Sequence, residues 1–539
     1  MLVLGGGAAG LTASATAALA GLRVILLEKA AHVGGATAWS GGWVWLPGDG
    51  DTTDAARYLT GFEGIDPAFA QSFADVAPKL LGFLEKHTRV RFQDAVSLPD
   101  YEPGIPGYLP HGRSRVVAPL DGRGLGRELR RLRCPLPQLT LAGLMPSAGI
   151  EMRHFVSVGR SLRSMAHVVR RLAAHGLERL FHGRAVRLTN GTALAGGLFQ
   201  AALNAGVCIR TDQSVQALVR KKGRVSGVRL ADREIVATRG VILATGGFSA
   251  NPVLRRQYYP HVAREAAHHT MAPVENAGDG VRLAQAIGAV MADRPAGAGA
   301  WVPVSLIPGR ELRPFPHFAD RAKPGLIAVR RNGRRFVNEA APYFEFMAGL
   351  FAATPDGEDV EAWLICDHRF QRRYGLGFSK PFPLPVGPYV RSGYLRPAPT
   401  LERLATDCGV DPEGLTAAVD EFNAGAVHGE DPAFGRGDTP VNRAQGDPSQ
   451  MPNPCVAPIL TPPFYAVRVV PGCLGSFAGL KTDPHARVLD RDDAPIPGLY
   501  ACGSDMASIM GGHYPAGGIS LGPALVFGHI AGQSAANIP

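Results

Sequence analysis

The 539-residue sequence has no run of about 18 uninterrupted apolar residues, so no segment reads as a membrane-spanning helix. It also has few cysteines. The seven, at positions 134, 208, 366, 408, 455, 473 and 502, form an odd, scattered set without C-x-x-C spacing. That spacing argues against a disulfide framework and against a zinc site, so no metal is expected and the thiols are expected to be reduced. No basic leader or cleavage region opens the chain, because a glycine-rich turn begins at residue 5, and the expected location is cytoplasmic. Negative charge is scarce in one stretch: Arg153, Arg160, Arg163, Arg170, Arg171, Arg179, Arg184 and Arg187 meet only Glu178, within a chain of net charge +10. Apolar residues recur at helical spacing from Ser161 to His175, so an amphipathic helix with its arginines outward is expected there. No aromatic-basic interleaving accompanies it, so nucleic acid is not an expected partner. A solvated helix face and peripheral contact of segment 153–187 with anionic lipid, which would make the protein membrane-associated, both stay open.

Glycine is abundant, with 67 residues, and a 46% hydrophobic content over this length is enough for a large core and two to four domains. The first glycines stand in Gly5-x-Gly7-x-x-Gly10, between the apolar Leu2–Leu4 and an alanine-rich helical run. Gly5 suits a tight strand-to-helix turn, Gly7 lets backbone approach a pyrophosphate, and Gly10 lets helix and strand pack closely. Glu28 follows Gly10 by 18 residues, at the end of a second apolar run, where a dinucleotide fold places the acid that holds the adenosine ribose. A second glycine-rich element, Gly34 to Gly42, offers bare backbone alongside an extended cofactor.

The α/β texture is interrupted from about 60 to 184 by helices and loops rich in proline and arginine. It resumes with a helix over Gly191–Gly206, a strand from Val207, a hairpin of Val215–Val219 with Arg224–Arg229, and a strand from Gly240 that ends in small residues near Phe248. Prolines and aromatics dominate from 301 to 470, and strand, turn and helix return from Leu480, with a last helix from about Ile519. No internal repeat competes with this reading. The expected fold class is α/β (α+β overall), with a Rossmann-like cofactor domain assembled from 1–300 and 471–539 and a catalytic or substrate domain, 301–470, inserted between them. The glycines of 34–42 and 503–522 serve a cofactor longer than a nicotinamide dinucleotide, and no separate nicotinamide site is evident, which favours FAD.

These residues resemble the fumarate reductase and succinate dehydrogenase flavoprotein superfamily, the FAD-dependent oxidoreductase 2 family, over most of the chain. The shared elements are the Gly5 fingerprint, Glu28-Lys29, Gly34 to Gly42, Ala244-Thr-Gly-Gly-Phe248, Gly278-Asp-Gly280 and Pro497-Gly-Leu-Tyr-Ala-x-Gly503. Within it the 3-ketosteroid Δ1-dehydrogenases are similar at Asp100-Tyr101-x-Pro103, Arg335-Phe-Val-Asn-Glu-Ala-Ala-Pro-Tyr343, Asp431 to Gly437 and His513-Tyr514-Pro-Ala-Gly-Gly518. The resemblance implies non-covalent FAD, since Thr37 to Gly42 has no histidine for a covalent flavin link. It assigns to cofactor binding Gly5, Gly7, Ala9, Gly10, Glu28, Lys29, Gly35, Ala36, Thr37, Ser40, Gly41, Gly42, Val215, Ala244, Thr245, Gly246, Gly280, Gly503, Ser504, Asp505, Gly518, Ser520 and Leu521. Two departures, Ala516-Gly-Gly-Ile-Ser-Leu after Pro515 and Leu98 ahead of Tyr101, bear on the ring system accepted.

The implied reaction introduces a carbon-carbon double bond alpha,beta to a ketone, foremost the 1,2-desaturation of a 3-ketosteroid. It needs an acidified alpha proton, a base and a hydride acceptor. Tyr514 and the Gly518 N–H would bind the ketone oxygen, Tyr343 would be the base with Tyr101 hydrogen-bonded to it, and flavin N5 would take the hydride. The partners implied are a small apolar ketone and an electron acceptor that the sequence does not name. Three alternatives stay open: a smaller cyclic ketone such as a cyclohexanone, a dicarboxylate enzyme like fumarate reductase, and a flavin-containing lipid-binding protein without turnover. Phe344, Phe346, Met347 and Phe351 read either as pocket lining or as helical core, and His513 as pocket-lining or structural.

Overall fold

Leu2–Leu4, three consecutive apolar residues that can be buried on both faces, lies inside a six-stranded sheet. The strand order is Arg487–Leu489, Pro495–Ala501, Val241–Leu243, Leu2–Leu4, Ile25–Leu27 and Cys208–Arg210, all parallel neighbours except the first pair. Both ends of the chain therefore build this one sheet. The computed structural model describes residues 1–93, 98–293, 295 and 297–537.

The helix Ala8–Leu19 starts at the tip of the first strand and packs along Leu521–Ala536. Small residues set how closely they approach. A Cβ on Gly528 would lie 2.5 Å from the Ala9 carbonyl oxygen, and one on Gly532 would lie 2.7 Å from that of Ala13. This close packing brings the N-termini of both helices to the same cavity.

A second sheet is organised around the 13-residue strand Phe464–Ser476. Arg313–Pro316, Gly299–Ile307, Phe464–Ser476, Ala362–Cys366 and Leu326–Val329 follow in order, with His269–Thr270 and Arg396–Ala398 also paired to the long strand. The helix Tyr343–Ala353 packs on Gly299–Ile307 and so delivers Tyr343 to the space between the sheets.

The expected hairpin forms as Ala217–Lys221 with Arg224–Arg229, joined by a third strand, Glu234–Val236. The expected amphipathic helix runs over Leu162–His182, begun by Ser161, whose hydroxyl accepts from Ser164 N–H, and ended by left-handed Gly183. Its packing differs from the simple amphipathic expectation. Leu162 and Phe181 are 79% and 76% exposed, because the inward face consists of Ser164, Val168 and His175. Among the described residues no helix is long and apolar enough to cross a membrane. All seven cysteines are unpaired.

Candidate active site

A cavity of about 1410 Å³ runs from Glu28 to Tyr343 between the two sheets. Its first half is walled by backbone. Gly5, at φ +104°, passes so near the strand end that a Cβ there would lie 2.2 Å from the Ala244 carbonyl oxygen. Gly10 crosses the Gly5 carbonyl, with 2.0 Å available for a Cβ. Gly7 begins the helix Ala8–Leu19, and Ala8 N–H donates to Thr37 Oγ1 at 2.9 Å, which ties the two glycine elements together. Bare helix N–H groups and glycine backbone form a cradle suited to a pyrophosphate.

Glu28 is buried, and its oxygens accept from Gly6 N–H at 2.6 Å and Ala30 N–H at 2.8 Å. Burial raises its carboxyl above the ordinary range, while those two N–H groups counter the rise. Each oxygen keeps a lone pair for a ribose hydroxyl. Lys29 pairs with Asp279 at 2.8 Å.

Most of the residues assigned to the cofactor line this cavity: Gly5, Gly7, Ala9, Glu28, Lys29, Gly35, Ala36, Thr37, Ser40, Gly41, Val215, Ala244, Thr245, Gly246, Gly503, Ser504, Gly518, Ser520 and Leu521. Gly10, Gly42, Gly280 and Asp505 stand behind the wall. Gly42 abuts the Asn190 backbone, and Gly280 abuts the Asp505 carboxylate. Asp505 is fully buried and accepts from Thr245 N–H at 2.5 Å, Thr245 Oγ1 at 2.9 Å and Gly247 N–H at 3.0 Å, so it holds the loop that faces the cofactor. Burial pushes its carboxyl up to about 6 despite those donors.

Sequence reasoning missed Arg133, which lies over the Trp39 ring at 5.2 Å, pairs with Glu275 at 3.2 Å and lines the same half. It stands in a run with Arg127, Arg130 and Arg131, so no local signal separates it. Asn276, which donates to the Gly246 carbonyl at 2.8 Å, was missed as well.

The far half is walled by side chains. Tyr343 donates to the Tyr514 hydroxyl at 2.5 Å, and the Tyr101 ring stacks on Tyr514 with centroids 6.3 Å apart. The hydroxyl contact is thus Tyr343 with Tyr514, where the sequence reading paired Tyr343 with Tyr101. Tyr101 reaches the cluster through its backbone: its N–H donates to the Pro515 carbonyl at 2.8 Å. Asp100 anchors that segment by accepting from Trp45 Nε1 at 2.9 Å and pairing with Arg113.

Gly518 has φ +96°, and a Cβ there would lie 2.7 Å from the Val44 backbone. Its carbonyl accepts from Trp45 and Gly522, whereas no described residue takes its N–H, which stays available to a ligand. Burial lifts all three phenols above their ordinary value, Tyr101 and Tyr343 furthest. Arg321 opposes this at Tyr101 and Tyr343. Its guanidinium is fully buried, donates to the carbonyls of His317, Phe318, Glu339 and Ala341, and lies over the Phe346 ring at 4.7 Å.

Phe344, Phe346, Met347 and Phe351 are not on the cavity wall, and the first three are buried, so this cluster packs in the core. His513 lies off the wall and bonds to the Glu63 carbonyl at 2.9 Å. Ser305, His317 and Asp320 form a hydrolase-like chain, with contacts of 2.8 and 2.6 Å. Ser305 is 1% exposed and its hydroxyl also meets Tyr394 at 2.7 Å, so it supports the wall and offers no nucleophile.

A family model described as FAD binding domain matches residues 1–521. The chain belongs to that family. It is 38% identical to the 4-oxocyclohex-2-ene-1-carboxylate 5-dehydrogenase of Sinomonas cyclohexanicum, covering 100% of this chain and 94% of the relative. It is 34% identical to a 3-oxosteroid 1-dehydrogenase of Mycobacterium tuberculosis, covering 98% and 97%. The crystal structure of the 3-ketosteroid Δ1-dehydrogenase of Sterolibacterium denitrificans, in complex with 1,4-androstadiene-3,17-dione, superposes with a TM-score of 0.90 at 33% identity, covering 99% and 98%. The flavoprotein is therefore an FAD-dependent oxidoreductase acting on CH–CH groups. The glycine cradle, the two helix N-termini and Glu28 fit FAD in shape and in chemistry.

Proposed function

We propose that the flavoprotein dehydrogenates a cyclic ketone between the carbons alpha and beta to its carbonyl: the 1,2-bond of a 3-ketosteroid or the matching bond of a smaller cyclic ketone. The observation that carries this reading is the phenol pair Tyr343–Tyr514 facing the cavity next to the unengaged Gly518 N–H. In the step itself Tyr514 donates its hydroxyl proton to the ketone oxygen, with Gly518 N–H as the second donor, the Tyr343 proton that Tyr514 accepts in the structure having left to solvent. Each such donor stabilises a developing enolate by on the order of 3 kcal/mol. Tyr343 removes the alpha proton once ionised, with the Arg321 charge favouring its phenolate and Tyr101 packed against Tyr514. Bound FAD supplies the hydride acceptor for the beta carbon.

A dicarboxylate enzyme needs an arginine as proton donor at the reacting carbons. After Glu339 this chain instead offers Ala340-Ala-Pro-Tyr343-Phe, and its phenols occupy the wall. Anaerobic mixing with a 3-ketosteroid, a cyclohexanone and succinate tests the reading. Flavin bleaching by a ketone and not by succinate is expected; bleaching by succinate alone would overturn it. The proposal extends to peripheral contact of residues 153–187 with anionic lipid, supported by exposed Leu162, Val169, Leu180 and Phe181 beside the arginines. Cosedimentation with anionic but not neutral vesicles is the expected result, and equal behaviour in both removes it.

A further inference from the structure

Beyond the tyrosines, the cavity wall around Asp320 and Asp447 carries more cations than anions. Arg153 on the helix Ile150–Val156, Arg160 just before the helix Leu162–His182 and Arg443 on the helix Pro440–Gln445 all line the cavity and are exposed at its mouth. None of the three guanidiniums has an ion-pair or hydrogen-bond partner among the described residues. Lys323 lines the same wall. Its ammonium donates to the Gln445 and Gly446 carbonyls at 2.6 and 2.7 Å, leaving a third proton.

The carboxylates nearby are committed elsewhere. Asp447 accepts from Arg373 at 2.5 Å, Tyr374 at 2.7 Å and Ser449 at 2.7 Å, and Asp320 pairs with His317 at 2.6 Å. Burial, mainly, holds the Lys323 ammonium below its ordinary pKa; Asp447 and Asp320 counter that, and the Arg153 charge adds a smaller push in the same direction as burial, which places the two cations within reach of each other. Such like charges repel, and an anion placed among them relieves the repulsion. The same wall includes Phe318, whose ring meets Tyr343 edge-on at 5.3 Å.

We propose that the ketone substrate carries a carboxylate and that Arg153, Arg160, Arg443 and Lys323 receive it while the ring lies over Phe318 toward Tyr343. This rests on the ketone-dehydrogenase reading and sharpens its substrate class. Guanidinium suits the role because its planar fork matches a carboxylate, and a cationic mouth gathers anions from solution. The same chemistry serves a single-ring keto acid or a steroid with a carboxylated side chain.

The test uses the FAD-loaded enzyme and anaerobic flavin reduction. Cyclohexanone is compared with 4-oxocyclohexanecarboxylate, and an uncharged 3-ketosteroid with a 3-oxosteroid bearing a side-chain carboxylate. In the double variant Arg153→Gln/Arg160→Gln, the ratio of kcat/KM for the charged ketone over its uncharged partner should fall about tenfold, and its dependence on salt should flatten. A fall in the single-ring pair alone identifies a small keto acid, and a fall in the steroid pair alone identifies a steroid acid. Arg153→Lys/Arg160→Lys, which keeps the charge but not the fork, should lower the ratio less than the glutamine double variant does, and Arg163→Gln, off the cavity wall, should leave it unchanged. An unchanged ratio in both ring classes overturns the proposal. If the wild type reduces no ketone, the dehydrogenase reading fails. The subsite is then decided by calorimetric titration with cyclohexanecarboxylate, which has no ketone to oxidise. Binding that weakens about tenfold in the double variant supports the carboxylate subsite, and equal affinity overturns it.

Discussion

At the Gly5 end of the cavity the wall is backbone, and the acids there, Glu28 and Asp505, spend their oxygens on N–H groups of the loops around them. At the Tyr343 end the wall is side chain, and several polar groups keep spare capacity: the Tyr514 proton, the Gly518 N–H and the guanidiniums of Arg153 and Arg160. The first arrangement is closed to added atoms at Gly5 and Gly10, where a Cβ collides with main chain. The second, apart from Gly518, whose Cβ would meet the Val44 backbone, is walled by side chains and is chemically exposed to substitution. A cofactor that stays needs a fixed cradle, and a substrate that comes and goes needs groups that change partners.

The sharpest way to break this contrast is Tyr343→Phe. The variant should retain FAD, read from its visible spectrum, while ketone-driven flavin reduction slows by about 10²- to 10⁴-fold. An unchanged rate would remove Tyr343 from the chemistry. At the other end, Gly10→Ala places a methyl 2.0 Å from the Gly5 carbonyl oxygen. It should cost about 3 kcal/mol and yield protein depleted of FAD, seen in the ratio of flavin to protein absorbance.

A smaller effect concerns pH. Burial, and then the neighbouring phenols Tyr514 and Tyr101, push the Tyr343 hydroxyl well above its usual value. The base works only when ionised, so kcat/KM should rise with pH and reach no plateau below about pH 10, measured under a buffer series at constant ionic strength.

The smallest effect belongs to Asp505, held up to about 6 by burial. A carboxyl whose folded value lies above its unfolded one gives stability that is present at low pH and lost as pH rises through the folded value. Relative to Asp505→Asn, the wild type should therefore gain Tm as pH falls from 7 toward 4. A difference independent of pH would mean that Asp505 is not titrating in the fold.

Much of the cofactor end was legible because it depends on local geometry. A turn that needs φ +104° admits glycine, and Gly5, Gly7 and Glu28 stand at fixed spacing in consecutive elements. Residues that act through the wall were harder to place: Gly42 and Gly280 are glycine because Asn190 and Asp505 press on them, and nothing local announces those neighbours. Arg133 was hidden in an arginine run. The ambiguous Phe344–Phe351 cluster was settled by which face of its helix meets the strand Gly299–Ile307.

The sequence by itself determined the cradle and a cofactor domain built from both ends of the chain, since backbone conformation and hydrophobic period are written in neighbouring residues, while the tyrosines stood out only through the motifs that resemble the ketosteroid dehydrogenases. Only the tertiary structure decided which phenol meets which. Tyr343 and Tyr514 are 171 positions apart and lie 2.5 Å from each other because a helix seated on the second sheet faces the loop before the last helix. The unpaired cations at the mouth are likewise a tertiary result, for whether a charge is neutralised depends on which residues fold around it.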